Sequence, residues 1–386
     1  MLLERPVDRW EVVALLALLV PGLALAVELG GTPISVYDPN VDPGAFVANA
    51  ERLAATGDLF ATRDPPFRYL PLAVVYALVE PTATGAERIA STLAAVACFV
   101  CTPLALWLFA RRVTGRVAAL AVVVAFVPMR AVGYAMPGYY VGSWQLDYGQ
   151  PLVFLALLTA HVASTENRPR PAVVTGGLLG LLATVQLGLA ALAALVVGVA
   201  FLLARAVRPL SWTVAAGAVG SLPLLAHLAL SDAATGHLRG TVSNRILPDG
   251  SLVVTWEQVP GVVLASGTLI TAALLVVAAV AYRRGLAPES TVLRTGVAVH
   301  AVAFVVLSVT NLGYLRYVVD QVGPFLLVVV AVAALGRTAA ADRVRTTVDR
   351  RTTEETPAPP VLALGALLAV ATTAVLFLGV PTNLPT

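Results

Sequence analysis

Lysine is absent from the 386 residues, so all 25 basic side chains are arginine, and only 12% of the chain is charged. A soluble domain carries about 25% charged residues, so a soluble class is excluded. The arginines stand between apolar runs and form no continuous basic face, which argues against nucleic acid as a partner. Cysteine is scarce as well. Cys98 and Cys101 form a CxxC inside an apolar run with no histidine or further cysteine beside it, so they read as small core residues and not as metal ligands or a redox pair. His161, His227, His237 and His300 show no spacing that builds a metal site. A repeat of fixed period is missing too.

What is present is hydrophobic: 58% of the residues, arranged in long runs. The expected fold is all-α, a polytopic transmembrane helix bundle of about 11 spans forming one domain over 1–386. The runs are Trp10 to Leu29, Ile89 to Ala110, Val117 to Val132, Pro151 to Ala163, Val173 to Gln186, Leu187 to Ala204, Trp212 to Leu230, Val262 to Tyr282, Val292 to Thr310, Val318 to Leu335 and Val361 to Val380. The first follows Arg5 and Arg9 as a signal peptide would, but its length of about 20 residues favours an uncleaved span. Pro171 to Arg205 as one helix would measure about 52 Å against a hydrocarbon core of about 30 Å. Two helices with a break near Thr184 to Gly188 are expected instead.

Short cytoplasmic loops collect arginine. With the N-terminus inside, the clusters at 111–116, 168–170, 205–208, 283–284 and 337–351 all fall on the inner side. The scheme requires Phe67 to Val79, about 13 residues containing Pro71, to lie at the interface; as a true span it would invert the rest. The outer side then carries a first loop over 30–88, a second polar stretch over 130–150 and a third over 231–260. The inner side carries a linker over 337–360 before the last span at 361–380. Tyr139, Tyr140, Trp144 and Tyr148 crowd the second stretch as a membrane-interface belt would.

The first outer loop holds most of the polar chemistry. Asp42 can cap a helix that starts with Pro43 and ends at Gly57, placing Phe46, Ala50 and Leu53 on one face. Asp38 precedes Pro39, which pushes it into extended backbone. Turn-forming and capping alone account for both aspartates. Asp147, at the start of the fourth run, reads equally as a helix cap and as a ligand group.

Three stretches carry a resemblance. DPGAFVANAERLAATGDLF followed by FRYLPL resembles the first outer loop of membrane glycosyltransferases of the GT-C class, above all those using polyprenyl-phosphate sugars. DYGQPLVFLALLTAHVAS, with the paired apolar segments after it, is similar to the Gly-Gln motif and short helices of the mannosyltransferase-like branch. LRYVVDQVGPFLLVVV resembles the late arginine-bearing stretch that meets the lipid phosphate. The chain departs from the pattern at Gln186, where many relatives carry lysine, and in FRYLPL, where Pro65 and Pro66 precede the tyrosine.

The resemblance implies transfer of a sugar, a hexose such as mannose, from a polyprenyl or dolichyl phosphate to a glycan or lipid acceptor at the outer face of the cell membrane. It maps the essential acid onto Asp42, with Asp38 as the rival. That carboxylate takes the acceptor proton or holds a divalent cation such as Mg or Mn that does so. Arg316, Arg68 and Arg245, in that order, are the implied partners of the leaving phosphate. Tyr69, Asp147 and Gln150 complete the implied substrate contacts. Two other classes remain open: a transporter or flippase of lipid-linked saccharides, which would show broken helices and internal repeats, and a non-catalytic scaffold indifferent to substitution in the first loop.

Overall fold

The computed structural model describes residues 6–31, 43–58, 66–79, 81–134, 144–231, 268–309, 319 and 321–337. The described residues form helices and short connections, with no strand among them. In chain order the helices are α1 (Arg9–Gly30), α2 (Pro43–Thr56), α3 (Leu70–Val79), α4 (Ala83–Val96), α5 (Thr102–Thr114), α6 (Arg116–Tyr134), α7 (Trp144–Glu166), α8 (Pro169–Val185), α9 (Leu187–Leu203), α10 (Val207–Gly220), α11 (Leu222–Leu230), α12 (Thr268–Arg283), α13 (Thr291–Val309) and α14 (Gly323–Gly336). Among the described residues, one uninterrupted run, Thr84–Thr114, is long and apolar enough to cross a bilayer by itself, and α10 with α11 passes if counted as one bent span. The last expected span, 361–380, and the linker before it lie outside the described residues.

Helix ends follow local chemistry. Helix α2 starts at Pro43, whose missing N–H costs nothing at a helix start, and stops where Gly57 adopts φ +65° and donates to the Leu53 carbonyl at 2.9 Å. Thr82 caps α4 by accepting from Gly85 N at 3.2 Å. The expected break between α8 and α9 falls at Gln186, extended at φ −150°, ψ 101°, where the side-chain Oε1 caps α9 by accepting from Gly188 N at 3.1 Å.

Two helices differ from expectation. Helix α7 begins at Trp144, not Pro151, and carries Pro151 inside it. A proline there forfeits one backbone bond, but Gly149 and Gln150 just before it are buried against other helices, so packing outweighs the local penalty. The segment expected over Trp212 to Leu230 is two helices bent by 43°. Pro223, within the first turn of α11, cannot continue the hydrogen-bond ladder of α10.

Contacts fix the relative directions. Thr175 Oγ1 donates to Thr159 Oγ1 at 2.8 Å, and Leu182 lies beside Gly149, so α7 and α8 are antiparallel. A Cβ on Gly176 would lie 2.7 Å from Ala216 Cβ, and one on Gly180 would lie 2.6 Å from Gly220 Cα. Helices α8 and α10 therefore run parallel through a Gly-x-x-x-Gly face, a packing device of membrane helices. Thr213 Oγ1 adds a 3.0 Å bond to the Ala172 carbonyl. Phe325 of α14 packs on Phe126 of α6 at 4.7 Å between centroids and edge-on to Phe154 of α7 at 6.5 Å.

The helical run through α4 and α5 contains one π-turn, Ala97–Cys101, with Thr102 Oγ1 donating to the Ala97 carbonyl at 2.9 Å. It presses the Phe99 carbonyl onto α1, where a Cβ on Gly22 would come within 2.5 Å of that oxygen. Cys98 is buried as expected; Cys101 is exposed.

At the bundle end where α1 begins, arginine-bearing connections gather. Glu11, fully buried, receives Arg111 Nε at 2.9 Å and Nη2 at 3.0 Å. Arg111 also donates to the Pro6 carbonyl at 3.0 Å. Arg116 pairs with Asp8, and Arg112 with Glu166 at 2.9 Å. Arg337 reaches the Ala287 carbonyl at 2.7 Å. Outward faces are apolar: Val13, Leu16, Val20 and Val27 of α1 and Leu202, Leu222 and Leu230 elsewhere are more than half exposed.

Candidate functional site

The opposite end of the bundle brings together the start of α7, the α8–α9 break and the lead into α14. Gly149 sits where a Cβ would lie 2.7 Å from Leu189 Cδ1, 3.1 Å from Leu182 Cδ1 and 3.8 Å from Gln186 Cβ. A side chain here would have to displace the tips of both leucines, so the glycine eases the close approach of α7 to the break. The next residue, Gln150, is fully buried. Its Nε2 donates to the Gln321 carbonyl and faces Gln321 Oε1 at 3.3 Å. Two positions further on, a Cβ on Gly323 would overlap the ring of His300, so α14 enters the bundle tight against α13. A small apolar cavity lies just inside, walled by Val153, Leu157, Val196, His300 and Leu326 among others.

The first-loop elements form a satellite core beside this end. Val47, Ala50 and Leu53 of α2 pack with Tyr69, Leu72, Ala73 and Tyr76 around α3 and with Ala86, Ala90 and Ala94 of α4. Ala50 and Leu53 thus share the face expected of them. Helix α3 has 10 residues, about 15 Å, half of the about 30 Å of a hydrocarbon core. Burial, reinforced by the carboxylates of Glu51 and Glu87, pushes the Tyr76 phenol above its ordinary pKa, so it remains a neutral hydroxyl.

Of the residues singled out in the sequence, Arg68 ends the 3₁₀ turn Pro66–Arg68 and is half-buried. That turn packs on α8, the helix whose last turn meets Gly149. Tyr69 is buried in the satellite core. Asp147 lies in the first turn of α7, three residues before Gln150. Gln150 lies at the helix junction itself. Asp42 immediately precedes the first residue of α2, but it lies outside the described residues, as do Asp38, Arg245 and Arg316. Among the described residues no three His, Cys, Asp or Glu side chains gather as metal ligands.

Sequence reasoning did not reach two residues. Gln321 is tied to Gln150 across 171 positions, and nothing in either local pattern signals the pairing. Glu11 is an acid one residue inside the first apolar run, and its polarity at that depth was a usable signal.

No family model and no curated protein matches the sequence. Solved structures do match. The ArnT of Cupriavidus metallidurans bound to undecaprenyl phosphate superposes with a TM-score of 0.60 at 18% identity, covering 94% of this chain and 72% of that one. The apo form of the same enzyme gives 0.55 at 17% identity with the same coverage. The described helices therefore share the fold of that ArnT. The all-helical fold agrees with the one read from the sequence, whereas the mannosyltransferase-like branch finds no support among these neighbours.

Proposed function

We propose that this protein is a multi-pass membrane glycosyltransferase that moves a sugar from a polyprenyl-phosphate carrier to an acceptor at the outer face of the cell membrane. The observation that carries the reading is the shared fold, over 94% of the chain, with an ArnT structure that holds undecaprenyl phosphate. The apolar outward faces support a bilayer around the bundle. The arginine-rich end supports a cytoplasmic N-terminus by the loop-charge rule, which puts the first-loop elements outside.

In this reading the acceptor hydroxyl oxygen attacks the anomeric carbon of the donor, and its proton passes to the Asp42 carboxylate, with Asp38 as the alternative base. The bond from the anomeric carbon to phosphate oxygen breaks, and the polyprenyl phosphate leaves with the electron pair. Arginine stabilises the growing charge on that oxygen. Arg68 is held on the turn against α8; Arg316 and Arg245 are the further phosphate partners proposed. Asp147 and Gln150, on successive turns of α7, contribute sugar contacts, and the Tyr69 backbone carries the turn from Arg68 into α3. The first sugar to try is a hexose such as mannose.

The test is transfer of label from a radiolabelled polyprenyl-phosphate hexose by the purified protein in proteoliposomes. Asp42→Asn is expected to lower the rate at least 100-fold at unchanged expression. Full activity in that variant would remove Asp42 from the mechanism, and lipid-linked saccharide crossing the membrane without bond cleavage would identify a flippase instead.

A further inference from the structure

The buried Gln150 amide has two unlike ends, and the structure fixes which is which. A backbone carbonyl only accepts hydrogen bonds, so the atom against the Gln321 carbonyl must be Nε2; the flipped amide would set two oxygens against each other. With the nitrogen pinned, Oε1 is turned to the other side of the amide. That oxygen is buried and accepts from no donor among the described residues. Leaving a carbonyl oxygen dry and unbonded costs about 1 to 3 kcal/mol, and a leucine would fill the same space without that cost.

We propose that Gln150 is a sugar-recognition residue: Gln321 locks its amide so that Oε1 stands as a fixed hydrogen-bond acceptor for a sugar hydroxyl of the lipid-linked donor. The inference rests on the glycosyltransferase reading and assigns one atom of the site to the sugar instead of the lipid phosphate. A pre-oriented acceptor rejects a group that cannot donate to it, because the oxygen is then left buried and unpaired. Locking the amide against the turn that leads into α14 also removes the rotamer freedom that a free glutamine would lose on binding.

The experiment compares the affinity of the full-length protein in nanodiscs for two probes, a polyprenyl-phosphate mannose and the same polyprenyl phosphate without sugar. In Gln150→Leu the sugar-bearing lipid is expected to bind about tenfold more weakly, while the bare lipid changes less than twofold. Thr159→Val, on the same helix but bonded to Thr175, should leave both affinities unchanged. A loss equal for both lipids would show that Gln150 only holds helices together and would overturn the proposal. So would an unchanged Gln150→Leu, or a wild type that does not distinguish the two lipids. If Gln150→Leu fails to fold, Gln150→Met, unbranched and of similar reach, makes the same comparison. Should the sugar-specific loss appear in a protein that transfers no sugar, the assignment of Gln150 stands and the transferase reading falls.

Discussion

At the scale of single residues, the most consequential interaction is the buried pair of Glu11 and Arg111, with side-chain exposures of 0% and 5%. Removing one partner strands the other charge away from water, which costs about 3 to 5 kcal/mol. Glu11→Ala is expected to lose about that much in detergent unfolding. The double variant Glu11→Leu with Arg111→Met should recover most of it, since it strands no charge. A Glu11→Ala loss below about 1 kcal/mol would mean that the pair is effectively solvated. This pairing also marks where sequence reading stopped. The arginines at 111–116 were legible as an end-of-span cluster, but their partners Glu11, Asp8 and Glu166 come from elsewhere in the chain, and no local pattern encodes such a meeting.

At the scale of elements, α8 and α10 touch through glycine. Gly176 and its neighbour Gly177 provide an internal comparison, because a Cβ at Gly176 would overlap α10 whereas one at Gly177 meets nothing within 4 Å. Gly176→Ala is expected to destabilise by about 1 to 3 kcal/mol through overpacking. Gly177→Ala should be neutral, or stabilising by up to about 1 kcal/mol from helix propensity. Equal effects at the two sites would contradict the parallel α8–α10 packing. The helices themselves were largely readable. The start of α2 at Pro43 and its stop at Gly57 follow from the local chemistry of those two residues, and the break at Gln186 follows from a run too long for one crossing. The bend at Ser221 has a local cause in Pro223 that the apolar run masked, whereas the extension of α7 back to Trp144 was not readable, because burial of Gly149 and Gln150 outweighs the local penalty of Pro151. The expected aspartate cap on α2 concerns Asp42, outside the described residues.

For the whole molecule, the arginine-bearing connections and the first-loop elements occupy opposite ends of the bundle, so a membrane-impermeant thiol reagent can read the orientation. In a background with Cys98 and Cys101 replaced, Asp58→Cys, after α2, should label in intact cells, and Asn167→Cys, in the α7–α8 turn, only after permeabilisation. The reverse pattern would invert the proposed topology and move the site to the cytoplasm. The all-helical fold was legible because long apolar runs are visible in the sequence itself. The association of Gln150 with Gln321, and of Gly149 with both sides of the Gln186 break, was not, because it depends on how α7, α8, α9 and the lead into α14 meet in three dimensions.

The π-turn at Ala97–Cys101 acts as a phase shift between two halves of one continuous helix. An α-helix advances about 100° per residue, from 3.6 residues per turn, so one residue more or fewer in that turn re-aims everything before it. Upstream, Ala86, Ala90 and Ala94 face α2 and α3; downstream, Arg111 faces Glu11. The two faces are indexed to each other through these five residues, and Gly22 keys the setting against α1. A chain with an ordinary helical turn there could satisfy the ion pair or the first-loop core, but not both in the present arrangement.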